Sequence, residues 1–406
     1  MFNRTGSRLP QELIDSIIDF SRGSVRDLKS LSLIGRPWLL RSRKHLFHAL
    51  RLDGTYKGNI ITEATSSLQA VLPLVRHLTL ESSIPNRPFR LSEVVLASIG
   101  QSFPNLLHLT LHGVFVEEGG VDFTSPAPKA CLRNLTLDNV AFEDALAMLH
   151  ALSNPLYSQL HSLSVDEISF TGNNPRSLFY TVSFQQQQTQ LQELVLGSVR
   201  APILRALWGS SSPFDMSSSL ACVSLCNRVS FDCADIALGN KKLWSNVTHL
   251  TCCACRINVK LFPASITHLT MTYKTLVRQG SDSRLSHLIN TSRQLQRLVL
   301  VFYWPHRTDC GRLSNIMSDF DEDLSEIAYA LPVDIHLRFV LKSEHSADFA
   351  LMERLQAMFL GLDDALCSRS KEENIQEVPV PLPIEVKEIS DQEYRADLRL
   401  GLGFEY

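Results

Sequence analysis

Leu106-Leu107-His108-Leu109-Thr110-Leu111-His112-Gly113-Val114 is the stretch that decides the fold. Leucines at 106, 109 and 111, with valine at 114, trace L-x-x-L-x-L-x-x-V. The L-x-L core alternates with a period of two, which is how a strand with one buried face reads. The same frame precedes it at Val75-Leu78-Leu80-Ser83 and follows at Leu132-Leu135-Leu137-Val140, Leu160-Leu163-Val165-Ile168 and Leu191-Leu194-Leu196-Val199. It continues at Leu220-Val223-Leu225-Arg228, Val247-Leu250-Cys252-Cys255, Ile266-Leu269-Met271-Lys274 and Leu295-Leu298-Leu300-Tyr303. A degenerate tenth copy is expected around Leu337.

The second positions of the nine clear copies are 78, 109, 135, 163, 194, 223, 250, 269 and 298. Their spacings of 31, 26, 28, 31, 29, 27, 19 and 29 describe one repeating unit. Helix-compatible stretches lie between them at 92–102, 143–152, 202–208, 285–292 and 323–330. Strand followed by helix, repeated, implies an α/β chain with a parallel sheet and helices outside it. No single unit can bury its own leucine face, so neighbouring units must stack. This accounts for 63 leucines in 406 residues.

The repeats resemble the leucine-rich-repeat family over residues 68–341. The resemblance implies an α/β solenoid with parallel strands on its concave face. The chain departs from the family where an asparagine is usual, since that position is mostly Val, Ile or Ser here.

Residues 8–52 do not fit the repeat. Leu13/Ile17 and Ile14/Ile18 are i,i+4 pairs on one helical stripe, and Pro10 suits a first helical turn. Gly23-Ser24 breaks the chain, Ser24 can cap a second helix through Leu28 and Leu31, and Arg36-Pro37-Trp38 opens a third. Three short helices bury little surface alone. The pattern Leu9-Pro10-x-Glu12-Leu13-x3-Ile17-Ile18, with Leu28, Leu31-Ser32-Leu33-Ile34, Arg36-x-Trp38 and Leu46-Phe47, resembles an F-box. The segment from Trp38 to Phe47 is similar to the F-box proteins of mushroom-forming fungi. That resemblance implies a Skp-type adaptor and cullin as partners, with Leu9, Pro10, Leu13, Ile17, Leu28 and Trp38 as adaptor contacts. The usual Val-Cys before the arginine is Ile34-Gly35 here.

With leucines inward, the residues beside them line the other face of the sheet. Its first column reads His77, His108, Asn134, Ser162, Glu193, Cys222, His249, His268 and Arg297, and its second Thr79, Thr110, Thr136, Ser164, Thr251 and Thr270. Val195, Ser224 and Val299 continue the second column, and Glu81, His112, Asp138, Asp166, Gly197, Cys226, Cys253, Thr272 and Val301 stand in a third. Threonine favours exposed strand positions in any case, and concave faces of stacked repeats are common binding surfaces. The columns therefore fit an ordinary outer face or a groove for a protein substrate.

Other chemistries find little support. Lys+Arg 39 against Asp+Glu 42 gives a net charge of −3, without the basic excess that nucleic acid requires. No apolar run is long enough for a membrane span, and residues 1–7 lack the core of a secretory signal. The expectation is a cytoplasmic or nuclear protein whose nine cysteines are reduced. The histidines pair in twos with no third ligand at fixed spacing, so no metal is expected. No phosphate loop, nucleophile elbow or zinc-protease motif is present, so neither a cofactor nor a catalytic residue is expected. Asp319-Phe320-Asp321-Glu322-Asp323 lacks the glycine of a calcium loop and suits a helix N-terminus. Residues 342–406 should supply a capping helix within 346–368 and a proline-containing tail, which reads equally as linker, edge strand or partner motif. The resulting function is the substrate-binding subunit of a cullin–RING ubiquitin ligase, with a repeat scaffold unconnected to ubiquitin as the alternative.

Overall fold

The structure is a computed structural model. It describes residues 9–54, 69–82, 88–117, 132–172, 189–208, 212–225, 244–253, 262–273, 285–303, 310–342, 357, 359–372 and 384–389. Leu68, Ser83, Cys226, Arg228, Cys233, Cys255, Lys274 and the proline-containing stretch 378–383 lie outside the described residues.

Three helices open the chain: α1 (Gln11–Phe20), α2 (Val25–Ser32) and α3 (Arg36–Leu46). Pro10 stands at the N-cap of α1, where its carbonyl accepts from the Leu13 and Ile14 amides. The Ser24 hydroxyl accepts from the Asp27 amide at 3.2 Å and caps α2. Pro37 sits in the first turn of α3, where a missing N–H costs nothing.

The described residues that follow are α/β, and twelve of their strands lie in chain order in a principal parallel sheet. Cα proximity divides the chain into two units. The first holds α1–α3, then β1 (Ala49–Gly54), β2 (His77–Ser82), β3 (Phe89–Leu91), α4 (Glu93–Ser102) and β4 (His108–His112). It continues with β5 (Val114–Val116), β6 (Asn134–Asp138), β7 (Ala141–Phe142) and α5 (Ala145–Leu152), and includes β9 (Ser169–Phe170). The second begins with β8 (Ser162–Asp166), β11 (Glu193–Leu196), α6 (Ala201–Trp208), α7 (Met216–Ser219) and β13 (Cys222–Leu225). There follow β14 (His249–Cys253), β15 (His268–Tyr273), α8 (Leu288–Thr291), β16 (Arg297–Tyr303) and α9 (Cys310–Ala330). It ends with β17 (Asp334–Lys342), α10 (Leu360–Glu372) and β18 (Ile384–Ile389). Short strands β10 (Thr189–Gln190) and β12 (Phe214–Asp215) pair with each other.

Register ties the copies together. Leu78 pairs with Leu109 and Leu109 with Leu135; Leu194 pairs with Val223, Leu250 with Leu269 and Leu269 with Leu298. Ahead of each of these strands one carbonyl accepts two successive amides of the next copy. His48, Arg76 and Leu107 do so in the first unit, and His161, Gln192, Ala221, Thr248 and Thr267 in the second. The inward residues Leu78, Leu80, Leu109, Leu111, Leu135 and Leu137 are all buried, as are Leu163, Leu194, Leu250, Leu269, Leu298 and Leu300. Burying one such leucine contributes roughly 2 kcal/mol, so the repeats supply most of the core.

Several details differ from the sequence expectation. Residues 49–52, at the end of the 8–52 block, belong to β1, which pairs with β2 in parallel. A second short strand follows each of β2, β4, β6 and β8, and these four make a parallel sheet in the order β3-β5-β7-β9. The turn into these strands uses left-handed backbone at one recurring place: Gly113 (φ 64), Asn139 (φ 53) and Glu167 (φ 50). Glycine and asparagine tolerate that region, and β-branched or aromatic residues then resume the strand. The position where the resemblance leads one to expect asparagine is occupied by Val114, the first residue of β5, and by Val140, immediately before β7, and both are buried.

The acidic run 319–323 lies inside α9, not at its start. It still serves helix starts, but those of other elements. Asp321 accepts from the Gly361 and Leu362 amides at 2.9 and 2.8 Å, capping α10, and Asp323 accepts from Leu285 N at 3.1 Å.

Candidate functional site

The two surfaces singled out by sequence are the outer face of α1 and the polar face of the sheet. On α1 the two apolar stripes separate. Ile14 and Ile18 turn inward and pack with Leu28, while Leu31, Trp38 and Leu46 close around them. Leu9, Leu13 and Ile17 remain 50%, 52% and 42% exposed. Pro10 is exposed beside them, and Phe20, one turn further on, is 93% exposed. A helix turn holds ~3.6 residues, so 13, 17 and 20 form one continuous stripe about a third of a turn from 14 and 18.

Leu28 and Trp38 do not join that stripe. Leu28 is 1% exposed, and Trp38 is half-buried against the same core, so in this chain both hold the helices together. Val25, Leu33, Ile34 and Leu40 are exposed instead, and the sequence reading had not singled them out as partner contacts. Their signal was present: they are apolar residues left over once Ile14, Ile18 and Leu28 account for a very small core.

A third face of α1 fixes it to α3. The Arg41 guanidinium donates to Asp15 at 3.1 Å and to both carboxylate oxygens of Asp19, and His45 Nε2 lies 2.8 Å from Asp19. Those contacts, Arg41 first and His45 second, hold the Asp19 carboxyl well below the usual carboxylate range. The network sets the direction of α1 and thereby the aim of its exposed stripe.

On the sheet, register brings the expected columns together within each unit. In the first unit Thr79, Thr110 and Thr136 are lateral neighbours, as are His77, His108 and Asn134. The His77 and His108 rings stack at 4.0 Å with an interplanar angle of 5°, and His48 tilts against His77 at 4.5 Å. Burial, then repulsion by His108 and His48, pushes His77 down to about 4. Burial lowers His108 and His48 as well. The third column pairs Glu81 with Arg51, and His112 Nδ1 with Asp138 at 2.8 Å.

In the second unit His249 and His268 stack at 4.3 Å, each with Nδ1 at 2.9 Å from the preceding threonine hydroxyl, Thr248 or Thr267. Thr251 and Thr270 are register partners, and Ser164 stands opposite Val195. The columns do not stay open across this unit. Val195, Ser224, Cys253, Thr272 and Val301 are buried, and Val301 forms a second core with Tyr303 and Val340. The polar face expected along the whole sheet is therefore interrupted: it is open on the early strands, at Ser164, and at His249, Thr251, His268 and Thr270, closed at the buried positions just named, and polar again on β17 at His336 and Arg338.

Cys222 is half-buried beside Glu193, and burial and that carboxylate push its thiol up, the reverse of an activated nucleophile. Among the described residues no three His, Cys, Asp or Glu side chains converge as a metal-ligand set. Among the same residues no helix is long and apolar enough to cross a membrane.

Neither the known protein-family models nor the curated proteins match this chain.

Proposed function

We propose that this chain is the substrate-recognition subunit of a cullin–RING (SCF-type) ubiquitin ligase. Its three N-terminal helices act as an F-box that holds a Skp-type adaptor, and its stacked repeats form a leucine-rich-repeat solenoid that holds a protein target. The chain performs no chemistry itself. It raises the effective concentration of a target lysine near the charged conjugating enzyme.

The observation that carries this reading is the exposed stripe of Leu9, Leu13, Ile17 and Phe20 on α1. A helix with one apolar face in its own core and a second left to solvent has the form of a docking element. The F-box resemblance supplies the occupant, since four of its six contact positions lie on that stripe or next to it.

The test is co-purification of the full chain with a Skp-type adaptor. Wild type should retain the adaptor, and Leu13→Arg/Ile17→Arg should lose it while keeping the wild-type melting temperature. If neither protein retains adaptor, the ligase reading is wrong and the repeats serve as a scaffold.

A further inference from the structure

We infer that the polar sheet face of the first unit receives an extended, lysine- or arginine-bearing segment of the target protein, and that this segment is recognised without phosphorylation. The inference rests on the reading that the sheet is the target-binding surface, and it names the target's chemistry.

The fixed charges on the face of β1, β2, β4 and β6 are Arg51, Asp53, Glu81 and Asp138, one cation against three anions. Arg51 is already engaged by Glu81. The face also carries His77, His108 and His112, with His48 immediately before β1. In a stack the first two and His48 each shed water and repel a neighbouring proton, so they stand neutral at neutral pH and add no field for an anion. Arg76 and Lys44 lie near the histidines, not on the carboxylate row, and they further disfavour charged imidazole there.

The row Asp53–Glu81–His112–Asp138 crosses four neighbouring strands in register. Strands stand ~4.8 Å apart, so a chain laid across them meets the carboxylates of Asp53, Glu81 and Asp138 at the first, second and fourth steps and the His112 imidazole at the third. Beside this row Thr79, Thr110 and Thr136 add hydroxyls in a second line. Ammonium and guanidinium groups find carboxylates and hydroxyl acceptors along such a track. A phosphate would instead meet a face with two more carboxylates than guanidinium groups, with Asp53 exposed, Glu81 held by Arg51 and Asp138 beside His112, and like-charge juxtaposition is strongly unfavourable.

The probe is a random twelve-residue peptide library displayed on phage and selected on the full chain. Selected peptides are then synthesised with serine, with phosphoserine, and with each Lys or Arg replaced by alanine. Selected sequences should be enriched in Lys and Arg and should weaken on phosphorylation. Their affinity should fall about tenfold or more for Asp53→Lys/Glu81→Lys and for Thr110→Trp. Glu326→Lys, on exposed α9 surface in the other unit, should leave it unchanged. Melting curves accompany each variant; if Thr110→Trp does not fold, Asp53→Asn/Glu81→Gln takes its place and should weaken binding in the same direction. Enrichment in acidic residues, tighter binding of phosphoserine peptides, absence of binders, or indifference to both face variants overturns the inference. Adaptor retention is measured on the same preparations. Retained adaptor with no cationic preference removes this inference alone, whereas lost adaptor with cationic peptides still bound removes the ligase reading.

Discussion

Strands β4 and β16 carry the same motif and bury the same inward leucines, yet their opposite faces have become different materials. In β4 that face is His108, Thr110 and His112, all half-exposed. In β16 it is Val299, Val301 and Tyr303, of which the last two are fully buried. One pattern therefore builds both a one-sided strand with a free polar surface and a two-sided strand closed into a second core. The difference teaches where recognition can happen: repeat register alone makes scaffold, and only strands with an open face can take a ligand.

The sharpest way to break the comparison is to exchange third-column residues. Val301→Glu places a carboxylate in the Val301–Tyr303–Val340 core and should cost about 3 kcal/mol or more, read as the urea midpoint. The reciprocal Glu81→Val removes one ion pair in which Arg51 is exposed and Glu81 half-buried, and should stay within ~1 kcal/mol. Equal costs would mean that the two faces are not different after all.

The inward face should not show this contrast. Leu109→Ala and Leu298→Ala each empty a buried site and should cost about 3 kcal/mol alike. A similar test applies to the helices. Ile18→Ala should destabilise by about 2–4 kcal/mol, whereas Leu13→Ala, one face away, should change stability little. Thermal melts of the pair check this directly. Smaller still, Ser42 is fully buried in α3 with a hydroxyl that has no hydrogen-bond partner. Ser42→Ala keeps the Cβ and removes that cost, so it should raise stability by about 1 kcal/mol.

Most of the sheet was legible because L-x-L alternation has a period that only a half-buried strand shares. Thus β2, β4, β6, β8, β11 and β13–β17 all fall on quoted frames. The second sheet was not legible: Val114–Val116 and Ala141–Phe142 are too short to show a period, and a left-handed residue hides their start. The closed face at β16 did leave a trace, since Leu298-Val299-Leu300-Val301-Phe302 is a continuous apolar run of the kind found when both faces are buried. The candidate docking stripe was half legible for a related reason. Periodicity marks 13/17 and 14/18 equally as apolar stripes, and only packing decides that 14 and 18 go inside with Leu28 while Phe20 stays out.

The smallest expected effect concerns the histidine stack, and its sign is definite. His77 sits at about 4 in the folded protein against an ordinary value of 6.5. Between those values the unfolded chain binds more protons than the folded one, so stability falls as the pH drops through this window and is flat above it. His48 and His108 are displaced the same way and steepen the slope. Asp19 also loses its contribution on acidification, but only below its ordinary value of 3.8, so the two effects occupy separate ranges. Urea midpoints measured through the upper range should show a shallower decline in His77→Gln than in wild type. An unchanged slope would mean that His77 is fully hydrated and open to protonation, and the face would then gain positive charge in mild acid where a cationic segment could no longer settle.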